Sequence, residues 1–287
     1  MMSHTISAPM APTLARPPVA LSMAGSDSCA GAGIQADLKT FGAHGCYGLT
    51  VVTAVVAEAP GRVTYVELMP AALVAAQIRV LEESFPIAAA KTGMLGGRLQ
   101  MEAVLESWEP LARRGTPLVV DPVMISTSGR RLLEEDAMEL LTTEFLKRAR
   151  LITPNLDEAG VLLGARPTTR QQMLDGARRL ADRWGCAVLI KGGHLAGEQC
   201  PDVLVDGPTV AWVEAARISG VKTHGTGCAY SAAITAGLAH GLALEAAVRS
   251  AKAFITEAIA RSFRWNGGLG EIDALNHATG KNWPVSG

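Results

Sequence analysis

A glycine-rich turn leads into a run of small residues between positions 221 and 240, and its residue types suit anion binding. Gly225, Thr226 and Gly227 place successive backbone N–H groups ahead of Cys228. A helix that begins here adds its own unpaired N–H donors and the positive end of its dipole. Such a loop can bind a phosphate or stabilise a transition state, and it should lower the pKa of the Cys228 thiol. The alternative is a tight turn that binds nothing and buries a cysteine.

Further polar residues follow predicted strands. Asp121 ends a strand before Pro122, and its oxygens suit Mg²⁺, which proteins bind through one or two carboxylates plus substrate phosphates. Asn155 and Glu158 lie three residues apart at a predicted helix start and can project from one side. Lys191 precedes two glycines and could meet a phosphate as a point charge. Each also has a purely structural alternative: a turn cap, an N-terminal capping pair and a surface lysine.

Strand-like and helical segments alternate from about residue 18 to 265, without a linker-like change in composition. This alternation predicts an α/β protein, a single-domain, three-layer α/β/α sandwich with a mostly parallel central sheet. The first strand is expected at 19–23 and a continuous helix at 134–148. Residues 1–17 are expected to form a disordered leader and residues 266–287 a loosely packed C-terminal tail. Since ligands of such folds bind outside the carboxyl ends of the strands, the polar strand ends and the glycine loop should share one rim.

Composition excludes several classes of partner. The 287 residues carry a net charge of −1, which argues against electrostatic binding to nucleic acid or a membrane surface. The five cysteines are widely spaced and include no C-x-x-C pair, which suits a reducing cytoplasm better than a disulfide scaffold or a zinc site. No apolar run approaches the length of a membrane span, and no signal peptide is recognisable. We therefore expect a cytoplasmic protein.

Two common nucleotide-binding motifs do not apply. The residues at 31–36 imitate a dinucleotide fingerprint, with Glu58 ending the next strand, but residues 25–30 intervene where the first glycine should follow its strand at once. No phosphate-binding loop of the Gly-x-x-x-x-Gly-Lys-Ser/Thr type occurs either. The glycine loop, carboxylates and lysine instead supply positioning, a metal site and charge stabilisation, which is what phosphoryl transfer requires.

Seven motifs occur in order along the chain: Ala24-Gly25-Ser26-Asp27-Ser28, Gly31-Ala32-Gly33-Ile34-Gln35-Ala36-Asp37-Leu38-Lys39-Thr40, Lys91-Thr92-Gly93-Met94-Leu95, Asp121-Pro122-Val123-Met124, Thr153-Pro154-Asn155 with Glu158, Lys191-Gly192-Gly193-His194, and His224-Gly225-Thr226-Gly227-Cys228. Together they resemble the hydroxymethylpyrimidine/phosphomethylpyrimidine kinases of thiamine biosynthesis, a branch of the ribokinase superfamily. The resemblance covers about residues 19–262. It implies a ribokinase-like fold, a homodimer, and phosphorylation of 4-amino-5-hydroxymethyl-2-methylpyrimidine and its monophosphate with ATP and Mg²⁺.

The resemblance also implies residue roles. The pyrimidine pocket would be lined by Gly25, Asp37, Glu58, Met94 and Val123. ATP would contact Lys191, Asn155 and Thr223, while Mg²⁺ and its waters would be held by Asp121 and Glu158. The anion hole would comprise Gly225, Thr226 and Gly227. Cys228 stands where many superfamily members carry an Asp base and where this family has Cys; it would accept the proton of the hydroxyl or only position that hydroxyl.

One position departs from the family pattern. The family usually has Ala-Gln-Asn-Thr after the second strand, with the Gln on the pyrimidine edge, whereas this chain has Ala57-Glu58-Ala59-Pro60. Gln offers a donor and an acceptor, but an ionised Glu only accepts. Glu58 would therefore bind a ring-protonated ligand, donate when protonated itself, or select a related heterocycle; the structural alternative is a side chain that points to solvent.

Three other functions stay open at this point. A pyridoxal-type kinase is the nearest, because hydroxymethyl groups on flat heterocycles resemble one another. A ligand-binding module without turnover is the second, although the intact motif residues speak against it. A dinucleotide-dependent oxidoreductase is the third, but the spacing between the first strand and the glycine motif at 31–36 is wrong for it.

Overall fold

The computed structural model describes residues 16–124, 135–221, 224–268 and 270–278. Its strands are β1 (Val19–Asp27), β2 (Tyr47–Ala59), β3 (Arg62–Leu68), β4 (Ile87–Thr92), β5 (Leu118–Val120), β6 (Leu151–Ile152), β7 (Ala187–Ile190), β8 (Asp202–Asp206), β9 (Thr209–Val213), β10 (Phe263–Gly267) and β11 (Gly270–Ala274). Its α-helices are α1 (Gly33–Ala43), α2 (Ala71–Ser84), α3 (Arg98–Arg113), α4 (Glu135–Leu140), α5 (Leu156–Leu163), α6 (Arg170–Trp184), α7 (Thr226–Ala239) and α8 (Leu244–Ala260). Within these ranges, no helix combines the length and the apolar character needed to cross a membrane.

Nine strands form one sheet in the order β3-β2-β1-β4-β5-β6-β7-β8-β9. The six strands from β2 to β7 in that order pair in parallel, while β3 at one edge and β8 and β9 at the other are antiparallel. Parallel neighbours need crossover connections, and the helices between the strands provide them. The predicted α/β class with a mostly parallel sheet is confirmed.

Helices cover both faces of this sheet, because successive strand residues point to opposite sides. Leu118 and Val120 of β5 belong to an apolar cluster that also contains residues of α2, α3, α5 and α6. Val119, between them, belongs to a second cluster with residues of α7 and α8. Helix α1 joins that second side by packing Phe41 against α7. The three-layer arrangement is therefore confirmed.

Two elements differ from their predicted extent. Strand β1 continues past residue 23 because Ser26 and Asp27 still pair with β2 beyond a bulge, so the strand delivers Asp27 itself to the rim. The helix expected at 134–148 is divided: α4 ends at Leu140, a π-helical turn occupies Leu141–Phe145, and a 3₁₀ turn follows. Trp184 Nε1 donates to the carbonyl of Thr142 inside that π-helical turn, at 2.8 Å.

The expectation of a loosely packed C-terminal tail is wrong for residues 272–278, whereas residues 266–268, 270 and 271 are exposed. Strands β10 and β11 form an antiparallel hairpin. Beyond the hairpin, Leu275 is buried in the cluster beneath α7 and α8, and His277 is buried as well. Local composition at these positions is polar and Gly-rich, but contacts with distant helices decide their packing. The division of the chain at residues 17 and 265 stays a prediction.

Candidate active site

Three elements bring their polar residues together at the carboxyl ends of the parallel strands. Asp121 directly follows β5, and its Oδ1 accepts hydrogen bonds from Thr153 Oγ1 at 3.1 Å and from Lys191 Nζ at 2.9 Å. Lys191 directly follows β7 and is bridged, parallel, to Asn155. The predicted shared rim is thus present. Burial opposes ionisation of Asp121, yet the Lys191 and Lys91 ammonium groups hold its pKa below the ordinary value.

The glycine loop lies directly beside this ion pair. A Cβ added at Gly227 would lie 3.3 Å from Lys191 Nζ and 3.5 Å from Asp121 Oδ2. Gly225 is the N-cap of α7 with φ +79°, and a Cβ there would lie 1.8 Å from the carbonyl oxygen of Gly31. Glycine is therefore required at 225 by backbone conformation and by close approach. The first turn of α7, with its unpaired N–H groups, thus lies beside a lysine ammonium at Gly227, a combination that suits an anion.

Asn155 and Glu158 form an N-terminal capping box on α5. Asn155 Oδ1 accepts from the backbone N–H groups of Asp157 and Glu158, both at 2.9 Å, and Glu158 Oε2 accepts from the Asn155 N–H at 2.8 Å. The structural alternative is therefore real for both residues. Burial, with Asp121 nearby and Lys191 opposing, raises the pKa of Glu158 to about 7. Asp157 is exposed, so Glu158 is the carboxyl of this turn that faces the rim.

The expected lowering of the Cys228 pKa is wrong. Burial raises the pKa of this thiol to about 11, and the carboxylates of Asp37 and Asp121 add to the increase, while Lys91 opposes it. Cys228 is half-buried, and desolvation of its thiolate outweighs the field of the helix start. In the protein without ligands, Cys228 is a neutral thiol.

A buried ion pair, which the sequence interpretation did not assign, lies beneath the rim. Lys91 Nζ contacts both oxygens of Asp37 at 3.0 Å, and Ser22 Oγ donates to Asp37 Oδ2 at 2.5 Å. Burial disfavours the ammonium, but Asp37, with Cys228 and Asp121 adding, raises the pKa of Lys91. A lysine within the apolar strand Ile87–Thr92 was the available signal, since a fully buried lysine needs a partner. Asp37 is thus fully buried and committed to Lys91.

The other predicted pocket residues surround the ends of β1, β4 and β5. A Cβ added at Gly25 would lie 2.9 Å from Met94 Cε, so these two residues are in contact. Val123 and Asp121 line a small cavity of about 10 Å³, enough for roughly one water. Thr92 also lines it, and its buried Oγ1 has no hydrogen-bond partner among the described residues.

Glu58 does not point freely to solvent. Its side chain is 18% exposed, and Oε1 lies 3.4 Å from Nε2 of His224. Its backbone exchanges hydrogen bonds with Ser28 Oγ, both at 2.8 Å, which ties the end of β2 to the loop after β1. Burial raises the pKa of Glu58, with Asp27 adding and His224 opposing.

Asp27 organises the loop after β1, a role that sequence reasoning missed. Its carboxylate accepts from the backbone N–H groups of Cys29, Gly31 and Ala32 and from Nε2 of His224. Burial opposes its charge, but these hydrogen bonds hold the pKa of Asp27 well below its ordinary value. His224 lies 197 positions away, so no local pattern indicated the contact. Thr223, predicted to contact ATP, lies outside the described residues.

Comparisons with known proteins agree with this geometry. The family model described as Phosphomethylpyrimidine kinase matches residues 27–273. A hydroxymethylpyrimidine/phosphomethylpyrimidine kinase from Rhizobium meliloti is 44% identical over 253 residues, covering 88% of this chain and 94% of that protein. A phosphomethylpyrimidine kinase structure from Clostridium difficile matches with a TM-score of 0.74 and 38% identity, covering 84% of this chain and 99% of that one.

Pyridoxal kinases share the fold as well. The structure of the Staphylococcus aureus pyridoxal kinase in complex with AMP-PCP and pyridoxal has a TM-score of 0.81 and 32% identity, covering 92% of this chain and 94% of that one. The ribokinase-like architecture implied by the motifs is therefore confirmed. By its family match and its relatives over most of their length, this chain belongs to the phosphomethylpyrimidine kinase family.

Proposed function

We propose that this chain is an ATP-dependent kinase that phosphorylates the hydroxymethyl group of 4-amino-5-hydroxymethyl-2-methylpyrimidine and then the resulting monophosphate. The observation that carries the proposal is the meeting of Lys191, Asp121 and the first turn of α7 at one rim. Relatives over nearly their whole length are named for this reaction. Phosphoryl transfer depends mainly on positioning and on charge stabilisation, and this rim offers both.

The phosphates of ATP are proposed to lie between Lys191 and the backbone of residues 225–227. An anion beside Gly227 would meet the N–H groups of α7 and the Lys191 ammonium together. Asp121 raises the pKa of Lys191 although burial opposes the charge, so the lysine stays cationic through the neutral range. Asn155 uses its Oδ1 as a cap, which leaves its amide N–H groups to contact the nucleotide. We retain Thr223 as a further proposed ATP contact.

Asp121 and Glu158 are proposed to hold Mg²⁺ and its waters. The residues fit this ion because their hard oxygens are buried near one another, and the charge of Asp121 raises the pKa of Glu158. Asp121 uses Oδ1 for Lys191 and Thr153, while Oδ2 faces the glycine loop. A bound Mg²⁺ would neutralise charge on the phosphate oxygens.

Cys228 is proposed to position the substrate hydroxyl. A thiol with a pKa of about 11 cannot serve as an efficient base near neutrality. Little is required of a base when the transition state resembles metaphosphate. The thiol can still accept or donate a hydrogen bond to the hydroxyl and align it with the phosphate site at Thr226 and Gly227.

The pyrimidine is proposed to lie between Gly25, Met94, Val123 and Glu58. Glycine at 25 allows the ring to approach the backbone, while Glu58 faces one ring edge together with His224. Asp37 would hold Lys91 in place beneath the pocket and would not touch the ring itself. Burial raises the pKa of Glu58, and a Glu58 that takes up a proton would supply the donor that a Gln supplies.

A pyridoxal-type kinase is the second candidate, favoured by the likeness to pyridoxal kinase structures and by Glu58. The test is an ATP-consumption screen over hydroxymethylpyrimidine, its monophosphate, pyridoxal and related hydroxymethyl heterocycles. We expect the largest kcat/KM for the pyrimidine and its monophosphate. Preference for pyridoxal would establish the second candidate. Ligand binding without ATP consumption for any of these compounds would indicate a module that lacks turnover.

We further propose a homodimer located in the cytoplasm. The family resemblance supports the dimer, and five free cysteines are compatible with a reducing compartment. Light scattering coupled to size-exclusion chromatography measures the oligomeric state, and fractionation of the native host measures the cellular location. A monomer at micromolar concentration would contradict the dimer.

A further inference from the structure

Three side chains with different metal-binding chemistry meet where β1 ends. Asp27 Oδ2 lies 3.1 Å from Cys29 Sγ and 3.2 Å from Nε2 of His224. One ligand atom from each residue can be chosen so that all three lie within 4.8 Å of one another. A carboxylate, a thiol and an imidazole are the three side-chain types that bind Zn²⁺. We name this group the Asp27–Cys29–His224 cluster.

Two of the three spacings within the cluster are close to those of a tetrahedral ion. Ligand atoms about 2.0–2.3 Å from Zn²⁺ lie roughly 3.3–3.8 Å apart in a tetrahedron. The two contacts of Asp27 Oδ2 are only a few tenths of an ångström shorter than that. Cys29 Sγ and Nε2 of His224 now make hydrogen bonds to that oxygen, and one cation would replace both of them. A small outward movement of these two side chains would therefore open the site.

Surrounding groups already orient the ligands. The backbone N–H groups of Gly31 and Ala32 donate to Asp27 Oδ2 at 3.1 and 2.8 Å, and the N–H of Cys29 donates to Oδ1 at 2.9 Å. Such hydrogen bonds to a ligating carboxylate fix its direction. Glu58 Oε1, 3.4 Å from Nε2 of His224, is placed to supply a fourth ligand, directly or through water.

Charge and access favour a cation as well. Asp27 Oδ2 and Glu58 Oε1 lie 3.2 and 3.4 Å from Nε2 of His224, so two acidic side chains converge on the cluster. A coordinating cation removes a thiol proton outright. Cys29 is exposed while Asp27 is buried, which gives an ion an entry path and an anchored ligand at its end.

We propose that Asp27, Cys29 and His224 form a binding site for a Zn²⁺-like cation, distinct from the carboxylates of Asp121 and Glu158. Binding replaces the Cys29 thiol proton, which is released to solvent, and takes His224 as the neutral tautomer with its hydrogen on Nδ1, so that the Nε2 lone pair faces the ion. The ion would join the loop after β1 to the residue that precedes Gly225. The proposal does not rest on the proposed kinase reaction, because the three ligands meet through their own contacts.

The test is a Co²⁺ titration of the full-length, metal-free protein without nucleotide. We expect one equivalent to bind with a thiolate-to-cobalt charge-transfer band in the near ultraviolet, and Zn²⁺ to displace it. Cys29→Ser should abolish that band and weaken Zn²⁺ binding at least about tenfold, since even outer-shell losses cost about 10–100-fold. Cys200→Ser, which removes a partly exposed cysteine outside the cluster, is the matched control and should bind like the wild type.

Folding is checked separately by thermal melting without metal. Zn²⁺ should raise the melting temperature of the wild type and of Cys200→Ser, because a ligand of the native state stabilises it. Cys29→Ser should melt like the wild type without metal and show no such rise. An undiminished charge-transfer band in Cys29→Ser, or the absence of a saturable equivalent in the wild type, would overturn the proposal.

Discussion

Replacing Gly225 by alanine tests whether the glycine loop is built as described. The residue has φ +79°, and the new Cβ would lie 1.8 Å from the Gly31 oxygen and 2.9 Å from Ala32 Cα. All of these neighbours are backbone atoms, so no flexible side chain can move aside. Either the loop after β1 or the start of α7 must shift by roughly 2 Å to reach an ordinary contact distance.

Gly241→Ala provides the matched control. Gly241 has φ +78°, and nothing lies within 4 Å of its added Cβ. Both variants incur the left-handed penalty of about 1–2 kcal/mol. Both also gain about 0.4–1 kcal/mol from a stiffer unfolded chain. Gly241→Ala should therefore lose about 1 kcal/mol of unfolding free energy. Gly225→Ala adds an overpacking cost of about 1–3 kcal/mol and should lose about 2–4 kcal/mol in total.

Urea unfolding followed by tryptophan fluorescence measures the two stabilities, and ADP production measures the activities. A displacement of about 1 Å in a positioning element can cost about 100-fold in rate. We expect kcat/KM to fall about 100-fold in Gly225→Ala and to change less than about twofold in Gly241→Ala. Equal stability losses and equal activities in the two variants would refute the close approach of Gly225 to Gly31.

Three further predictions concern single side chains. Cys228→Ala should lower kcat at least about tenfold, because a misaligned hydroxyl can cost that much in rate, while Cys228→Ser should retain most activity. An unchanged kcat in the alanine variant would remove Cys228 from the site, and equal losses of kcat in both variants would favour a thiolate base. Glu58→Gln should change kcat/KM for hydroxymethylpyrimidine and its pH profile, and identical rates and profiles would remove Glu58 from substrate recognition. Lys91→Met should cost about 3–5 kcal/mol of unfolding free energy because Asp37 is left buried and unpaired. Since burial raises the pKa of Asp37 in the folded state, this loss of stability should shrink as the pH falls and the carboxyl protonates. The double variant Lys91→Met with Asp37→Asn should recover most of the lost stability. A loss that does not depend on pH would contradict the ion pair.

Features that depend on neighbouring residues were predictable from the sequence. The spacing of Asn155 and Glu158 indicated a helix start, and α5 begins with that capping box. The polar ends of β5 and β7 meet because parallel strands place their carboxyl ends at one edge. The hairpin of β8 and β9 follows its Asp206-Gly207 turn.

Features that depend on distant contacts were not predictable in the same way. The pKa of Cys228 is set by burial and by Asp37 and Asp121, 191 and 107 positions earlier, rather than by its own helix turn. Asp27 meets His224 only because β1 and the start of α7 end at the same rim. The C-terminal residues pack because Leu275 reaches the cluster beneath α7 and α8.

Product identification tests the central claim most directly. Purified protein is incubated with ATP, Mg²⁺ and 4-amino-5-hydroxymethyl-2-methylpyrimidine, and the pyrimidine species are followed by mass spectrometry over time. The account predicts a monophosphate that appears first and then a diphosphate, with ADP formed in equal amounts for each step. It also predicts that Lys191→Ala, which removes the phosphate-facing ammonium, slows both steps. Formation of neither product while pyridoxal is phosphorylated under the same conditions would contradict it.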